Sequence, residues 1–399
     1  MVRRVRDNSA AGRPRVAIFP GFLGPAGGGT AQSACLMAAS LAARGCRVLV
    51  AGLRDGAGRA LPRELSSGTC EVRVHPAISA ADGVRSPEAV ARLRSMVSDL
   101  DVVHFNGHWN PLNHALAEIC HAAGVPYIIS SRSSADPANM DPGTSKNLGL
   151  LKPKEYRYVA NAFAVHVTSS MEKRRARFEA TPRRLLTIRN PVELDHLRAL
   201  PSRSAARGAL GMPDERMALL YYGRLVAQKQ PDFAVRVLAR LARPANVHLY
   251  LVGAGTDAEV QSVRAVANEL AVEDRVHLMG HAAGAGRVRW LAAADALLLP
   301  SIAENFSLTL VESVAAGLPA VVCPNVGVLE HLRPADATVV ALDPRLWADA
   351  CAGLLEAATG PRERPLARLQ SLFHPDQVAQ EWLVVYEQLS APVPEDPAS

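Results

Sequence analysis

Two carboxylates, Glu304 and Glu312, stand eight positions apart in the segment PSIAENFSLTLVESVAAGLPAVV, residues 300–322. A carboxylate accepts strong, charge-assisted hydrogen bonds, so a pair of them suits a hydroxyl-rich ligand such as a sugar or a ribose diol. A second segment, YYGRLVAQKQPDFAV at 221–235, sets Arg224 and Lys229 five apart. Arg offers a planar fork and Lys a point charge, and two such cations on one turn can neutralise a diphosphate. A third, residues 21–45, carries Gly27, Gly28 and Gly29 ahead of a helical pattern with Thr30 as a candidate cap. Glycines let a backbone come close to a phosphate or sugar, although a plain loop reads the same way. A fourth, DVVHFNGHWNPLNHAL at 101–116, puts His104, Asn106, His108 and Trp109 at or beyond a strand end. A fifth, SSRSSADPANMDPG at 130–143, adds Arg132 and Asp136, with a structural role as the competing reading.

Plainer readings exist for the other patterns too. Thr309-x-x-Glu312 fits a helix capping box, with Glu304 a solvated loop charge. Arg224 and Lys229 fit solvated surface cations. Yet Lys is scarce here, occurring only at 146, 152, 154, 173 and 229. His104 and His108 invite a metal, but no Cys or acid cluster completes the set. Asp99-Leu100-Asp101 is a D-x-D at the start of a strand, the wrong end of a parallel sheet for ligands, and reads as solvated. LVGAGTDA at 251–258 matches a dinucleotide fingerprint. The next strand, however, ends in Met279, Gly280 and His281, with no acid for a ribose.

The elements that must position these residues alternate. Strand patterns fall at 15–19, 47–52, 70–75, 101–105, 126–130, 164–169 and 185–190, then at 218–223, 246–253, 275–280, 296–301, 319–324 and 338–342. Helical patterns lie between them, which implies parallel sheets with helices on both faces. Thirteen strands exceed one small open sheet, so two Rossmann-like domains are expected. The Pro- and Gly-rich stretch 191–215 separates them. Most of the candidate residues then fall at carboxyl ends of strands, the usual ligand edge of such sheets.

The order strand, Glu-Asn-Phe, helix, Gly-x-Pro, strand resembles the E-x7-E signature of retaining GT-B glycosyltransferases of family 4 (group 1). Gly223-Arg224-Leu225 with Lys229 resembles that family's G-R-L-x-x-x-K element. The resemblance implies a GT-B fold of the α/β class, two Rossmann-like parallel-sheet domains facing a cleft. It implies an acceptor domain at 15–195, a nucleotide-sugar domain at 196–375 and a helix at 376–391 crossing back to the first domain; composition adds a basic extension at 1–14 and a Pro-rich tail at 392–399. The extension and the tail read as disordered. It implies a hexosyltransferase that moves a sugar from a nucleotide-sugar, foremost a UDP-sugar, to an acceptor hydroxyl with retention and without an obligatory metal or other cofactor. Glu304 would meet the donor sugar, Glu312 the ribose hydroxyls, and the backbone amides of Asn305, Phe306, Ser307 and Leu308 the sugar and phosphate. Gly28 and Gly29 would also serve the donor, although their loop matches the family's acceptor-side loop. Arg224 and Lys229 would hold the departing phosphate, and Arg132 and Asp136 would meet the acceptor. Two departures stand out. Ser307 occupies a position where the family often has Gly. Asn106 occupies the second His of an H-x-H-G-x-W-x-P pattern, leaving Asn106 and His108 as alternatives for its role. A catalytically silent sugar-nucleotide-binding subunit and a nucleotide-dependent oxidoreductase remain as other readings.

Composition bounds the rest. The 399 residues are 49% hydrophobic and 21% charged, which suits a globular chain with a large Ala-, Leu- and Val-rich core. A net charge of +6 is too mild for a dedicated nucleic-acid surface, but leaves room for a basic patch toward anionic substrates or lipid headgroups. Six scattered cysteines without C-x-x-C spacing read as reduced core residues of a cytoplasmic protein. No apolar run reaches a membrane-spanning length, and peripheral membrane contact is left open.

Overall fold

The computed structural model describes residues 13–23, 28–54, 65, 70–75, 87–139, 148–241, 246–357 and 362–390. Most of the basic extension, Gly27, the end of the 130–143 loop and the C-terminal tail lie outside the described residues. The chain divides into two compact units, residues 1–191 with 373–399, and residues 192–372.

The first unit is built on a parallel sheet of eight strands: β1 (Arg15–Phe19), β2 (Phe22–Leu23), β3 (Arg47–Arg54), β4 (Glu71–His75), β5 (Val102–Asn106), β6 (Tyr127–Ser130), β7 (Ala164–Val167) and β8 (Leu185–Thr187). The order runs β2-β3-β1-β5-β6-β7-β8, with β4 also on β3. The two-residue β2 was not foreseen, because so short a run carries no periodicity. β1, β5, β6 and β7 are buried along almost their whole length, as strands covered on both faces are, with His104, Asn106, Ser130 and His166 as buried polar members. The helix Gly28–Ala43 covers one face together with the last helix, Pro375–Ser390, whose Trp382, Leu383 and Tyr386 join the same core as Val16, Val48 and Met37. Thr30 lies inside the first turn of Gly28–Ala43 and is not its cap, since the helix already starts at Gly28.

The second unit has six parallel strands: β9 (Met217–Tyr222), β10 (Val247–Val252), β11 (Val276–Gly280), β12 (Ala296–Leu299), β13 (Ala320–Val322) and β14 (Thr338–Val339). Their order, β11-β10-β9-β12-β13-β14, is the doubly wound 3-2-1-4-5-6 arrangement.

In both sheets the strand order reverses beside the first strand, between β1 and β5 and between β9 and β12. An aspartate fastens the amino-terminal edge at each reversal. Asp101 accepts from the Arg15 backbone N–H at 2.8 Å and pairs with its guanidinium at 3.0 Å. Asp295 accepts from the Ala218 N–H at 2.7 Å and pairs with Arg207 at 2.8 Å and Arg203 at 2.9 Å. Asp101 is therefore no solvated bystander, as its D-x-D had suggested; it joins two strand starts, which leaves the opposite edge for ligands. All six cysteines are buried and unbridged.

Candidate active site

The strand order reverses between β9 and β12, and the carboxyl ends at such a reversal are where an open α/β sheet takes its ligands. β9 runs into Gly223 and Arg224, and β12 into Ser301 and Glu304. Arg224 is exposed and forms no ion pair among the described residues, while its carbonyl accepts from the Tyr221 hydroxyl at 2.7 Å. Lys229 forms an ion pair with Glu304. Glu304 also accepts from the Ser301 hydroxyl at 3.0 Å. Its backbone is stitched to the loop after β13, donating to the Asn325 carbonyl at 2.9 Å and accepting from Gly327 N–H at 2.8 Å. A solvated loop charge would show none of this; the carboxylate is buried and held.

The neighbouring turn explains the dinucleotide-like glycines. A Cβ on Gly253 would lie 1.7 Å from the Gly223 carbonyl oxygen, and one on Gly255 would lie 2.9 Å from the Leu225 Cβ. Both glycines are needed because the Gly223–Leu225 turn packs directly on them. The fingerprint is thus a packing requirement of the cation-bearing turn, and β11 ends without the acid a dinucleotide would want.

The helix Leu308–Ala315 begins at Ser307, whose side chain accepts from the Leu310 N–H. Ser307 has φ +77°, in the left-handed region that glycine enters without strain. Glu312 is not the end of a capping box with Thr309. It lies in the second helical turn, buried, and forms an ion pair with Arg287 of the helix Ala285–Ala293. The Arg287 guanidinium in turn lies over the Tyr222 ring, 5.2 Å from its centre. Burial raises the Glu312 carboxyl to about 7, with Arg287 pulling the other way. Sequence reasoning missed Arg287. It stands 25 positions from Glu312 among other arginines, and only the helix–helix geometry singles it out. Phe306 is buried, and its carbonyl accepts from the Val328 N–H at 3.2 Å. Asn305 and Leu308 are partly exposed at the head of the helix.

The other reversal gathers the first unit's candidates. The Asn106 side chain donates to the Phe19 carbonyl at 3.1 Å, tying the ends of β5 and β1, and accepts from Arg132 Nε at 2.9 Å. Arg132 donates further to Ser33 and Asn190, so its direct partners are all neutral oxygens. Burial pulls its guanidinium down to about 10. Asp136 uses one carboxylate oxygen on Arg175 at 2.6 Å and the other on the Ala138 N–H at 3.0 Å, which shapes its loop. Gly28 and Gly29 are exposed at the start of their helix.

His104 and His108 enter separate networks and do not converge on a metal. His104 lies 2.6 Å from both the Tyr386 hydroxyl and the Ser130 hydroxyl, and burial holds it well below the usual histidine range. Ser130 continues to His166 at 2.7 Å, which reaches the Ile188 carbonyl at 2.7 Å. His108 Nδ1 meets Glu155 at 2.6 Å, and His114 Nε2 meets the other oxygen of the same carboxylate at 2.6 Å. The Trp109 N–H donates to Glu155 at 2.8 Å. Burial pushes Glu155 up, but the bonds from His108 and His114 prevail and bring it to about 2. His108 Nε2 is buried without a hydrogen-bond partner among the described residues. Among the described residues no group of three or more metal-ligating side chains is assembled.

Two family profiles match this chain. One described as "Glycosyl transferase 4-like domain" covers residues 28–191, and one described as "Glycosyl transferases group 1" covers residues 216–357. A D-inositol 3-phosphate glycosyltransferase of Mycobacterium tuberculosis is 31% identical over 195 residues. That match takes in 47% of this chain and 40% of the relative, so the chain aligns with less than half of the curated relatives' length. Among solved structures, Anabaena HepE in complex with UDP and glucose superposes with a TM-score of 0.73 at 18% identity, covering 94% of this chain and 100% of that one. The sucrose-phosphate synthase of Thermosynechococcus elongatus gives 0.72 at 20% identity, covering 94% and 99%. At these identities the likeness is one of fold.

Proposed function

We infer, for a chain that belongs to the GT4-type group 1 glycosyltransferases with the GT-B fold, that it moves a hexosyl group from a nucleotide-sugar to an acceptor hydroxyl with retention of configuration. The observation that carries this reading is the β9/β12 reversal. There one turn presents Arg224, exposed and without an ion pair among the described residues, and the next brings Lys229 onto Glu304 beside a helix start. An anionic leaving group and a polyhydroxylated sugar need these two chemistries side by side.

In this scheme Arg224 and Lys229 hold the diphosphate, and the head of the helix Leu308–Ala315 adds its free N–H groups. Glu304 meets the sugar hydroxyls and stabilises positive charge developing at the anomeric carbon. The bond from that carbon to the phosphate oxygen breaks as the acceptor oxygen attacks from the same face. The acceptor's proton passes to the departing phosphate, so no separate base and no metal is required. Glu312, braced by Arg287, takes the ribose hydroxyls. UDP is the first nucleotide to try, since HepE was solved with UDP-glucose. The acceptor falls to the first unit, at Arg132 and the β1 and β5 ends.

One observation favours the silent-subunit reading. The Asn106 amide is engaged at both ends, and His108 is buried against Glu155 with its Nε2 enclosed, so neither presents a solvent-facing polar group. One experiment separates the two. The purified chain is given a panel of nucleotide-sugars with a bacterial acceptor extract, with and without EDTA, and UDP release and product anomer are followed. Release that survives EDTA and yields a retained anomer supports the proposal. Nucleotide-sugar binding with no turnover supports the silent subunit. Loss in EDTA, restored by manganese or magnesium, overturns the metal-free scheme.

A further inference from the structure

Positive charge is concentrated in one stretch of the first unit. Residues 148–184 hold nine Lys and Arg against three Asp and Glu, a balance of +6 that equals the net charge of the whole chain. The remaining residues are neutral in sum, with 35 of each sign. Two of the three acids, Glu155 and Glu172, are buried, so the surface of the stretch is more basic than the count. The helix Leu148–Asn161 has two distinct faces. Glu155, Tyr158 and Val159 turn inward, while Leu150, Lys152, Lys154, Tyr156 and Arg157 are exposed. Leu150 is 78% exposed and Tyr156 55%. Lys152 lies 4.0 Å from Glu179, which brings the stretch after β7 alongside, with exposed Lys173 and Arg174 on its helix Ser170–Arg175. Lys154, Lys173 and Arg174 form no ion pair among the described residues.

We propose that the exposed face of Leu148–Asn161, extended by Lys173 and Arg174, is a docking surface for an anionic lipid bilayer. Cations interleaved with a projecting leucine and tyrosine match such a boundary: the charges meet the headgroups and the apolar tips enter just below them. Lys stems lengthen that reach, because their methylenes lie along apolar surface while the ammonium stays in water. A nucleic acid would use the charges but would leave Leu150 without a role, since its binders pair cations with stacking rings. Among the described residues no helix is long and apolar enough to cross a membrane.

Co-sedimentation of the full chain with vesicles tests this. Vesicles of phosphatidylcholine with 30% phosphatidylglycerol should retain the protein, and pure phosphatidylcholine should not. Each surface cation contributes about fivefold to partitioning. The triple change Lys152→Glu, Lys154→Glu and Lys173→Glu should therefore lower binding by about 100-fold or more. Leu150→Ser with Tyr156→Ser should lower it separately while leaving every charge in place. Arg264→Glu, on an exposed helix of the other unit, should leave it unchanged. The melting temperature of each variant shows whether it has folded. The proposal is overturned if anionic vesicles fail to retain the parent chain, if both sets of variants bind as it does, or if a single-stranded oligonucleotide displaces the vesicles while the Leu150/Tyr156 variant binds them undiminished.

Discussion

Glu155 and Glu312 are both buried glutamates, one in each unit, and although burial pushes both up, their carboxyls end on opposite sides of the ordinary range. Glu155 receives two imidazoles and a backbone N–H and is held at about 2. Glu312 has one guanidinium against full desolvation and rises to about 7. Burial penalises the charged form in both; the number of donors decides the sign. The same contrast runs through their surroundings. In the first unit the Asn106 amide is bonded to a carbonyl and a guanidinium, and Glu155 to two imidazoles whose far nitrogens are buried without a partner among the described residues. In the second the exposed Arg224 has no ion pair among the described residues, and burial raises the Glu312 carboxyl to about 7. A carboxylate with several donors is held ionised and rigid, whereas one left short of donors can exchange protons near neutrality.

The largest expected effect tests the first half of that contrast. Glu155→Ala leaves two buried imidazoles without their acceptor and should destabilise the first unit by about 3–5 kcal/mol, read by urea unfolding. UDP affinity of the folded fraction should be unchanged. A loss of UDP binding with no loss of stability would reverse the assignment of roles.

Arg224→Ala tests the second half. Removing a charge-assisted contact costs about 1.5–3 kcal/mol, which is roughly 10- to 150-fold in kcat/KM for the donor. Stability should hardly move, since the side chain is exposed. Unchanged kinetics would take Arg224 out of the diphosphate role.

The glutamates themselves predict opposite pH behaviour. Because the folded chain raises Glu312, the proton it holds stabilises the fold below the ordinary glutamate range. That contribution is lost as pH climbs toward about 7. If Glu312 takes the ribose hydroxyls as proposed, the diol donates to its ionised form, so UDP binding should release a proton and weaken by roughly tenfold between pH 8 and pH 6. Calorimetry in buffers of different ionisation enthalpy reads this directly, and Glu312→Gln should flatten the profile. Glu155 has the reverse sign. Its stabilisation is present above the ordinary range and is lost as pH falls from there through about 2. Acid should therefore loosen the first unit at the Glu155 network while Glu312 favours the fold of the second.

The smallest effect concerns Ser307. A non-glycine residue in the left-handed region costs about 1–2 kcal/mol, and exchanging a Ser cap for Gly costs only a few tenths. Ser307→Gly should raise the melting temperature of the second unit by about 2–4 °C. If stability falls, the serine hydroxyl holds the helix start more firmly than its single long bond suggests.

Much of this molecule is a property of consecutive residues. Apolar runs of four to six residues alternating with helical patterns specify parallel strands, and thirteen of the fourteen strands follow from that alone. Turn chemistry placed Glu304, Arg224 and Asn106 at strand ends in the same way. Which strand ends become neighbours is not a local matter. The 3-2-1-4-5-6 order brings the Gly223 turn beside Glu304, 81 positions on, and makes Lys229 its partner. Helix packing, not spacing, chose Arg287 for Glu312 and Glu155 for His108. It also turned a D-x-D into a strand clamp and a dinucleotide-like turn into a steric fit. Periodicity reports the face a residue presents, whereas pairing, burial and titration depend on what the opposite face supplies, and only the folded chain brings the two together.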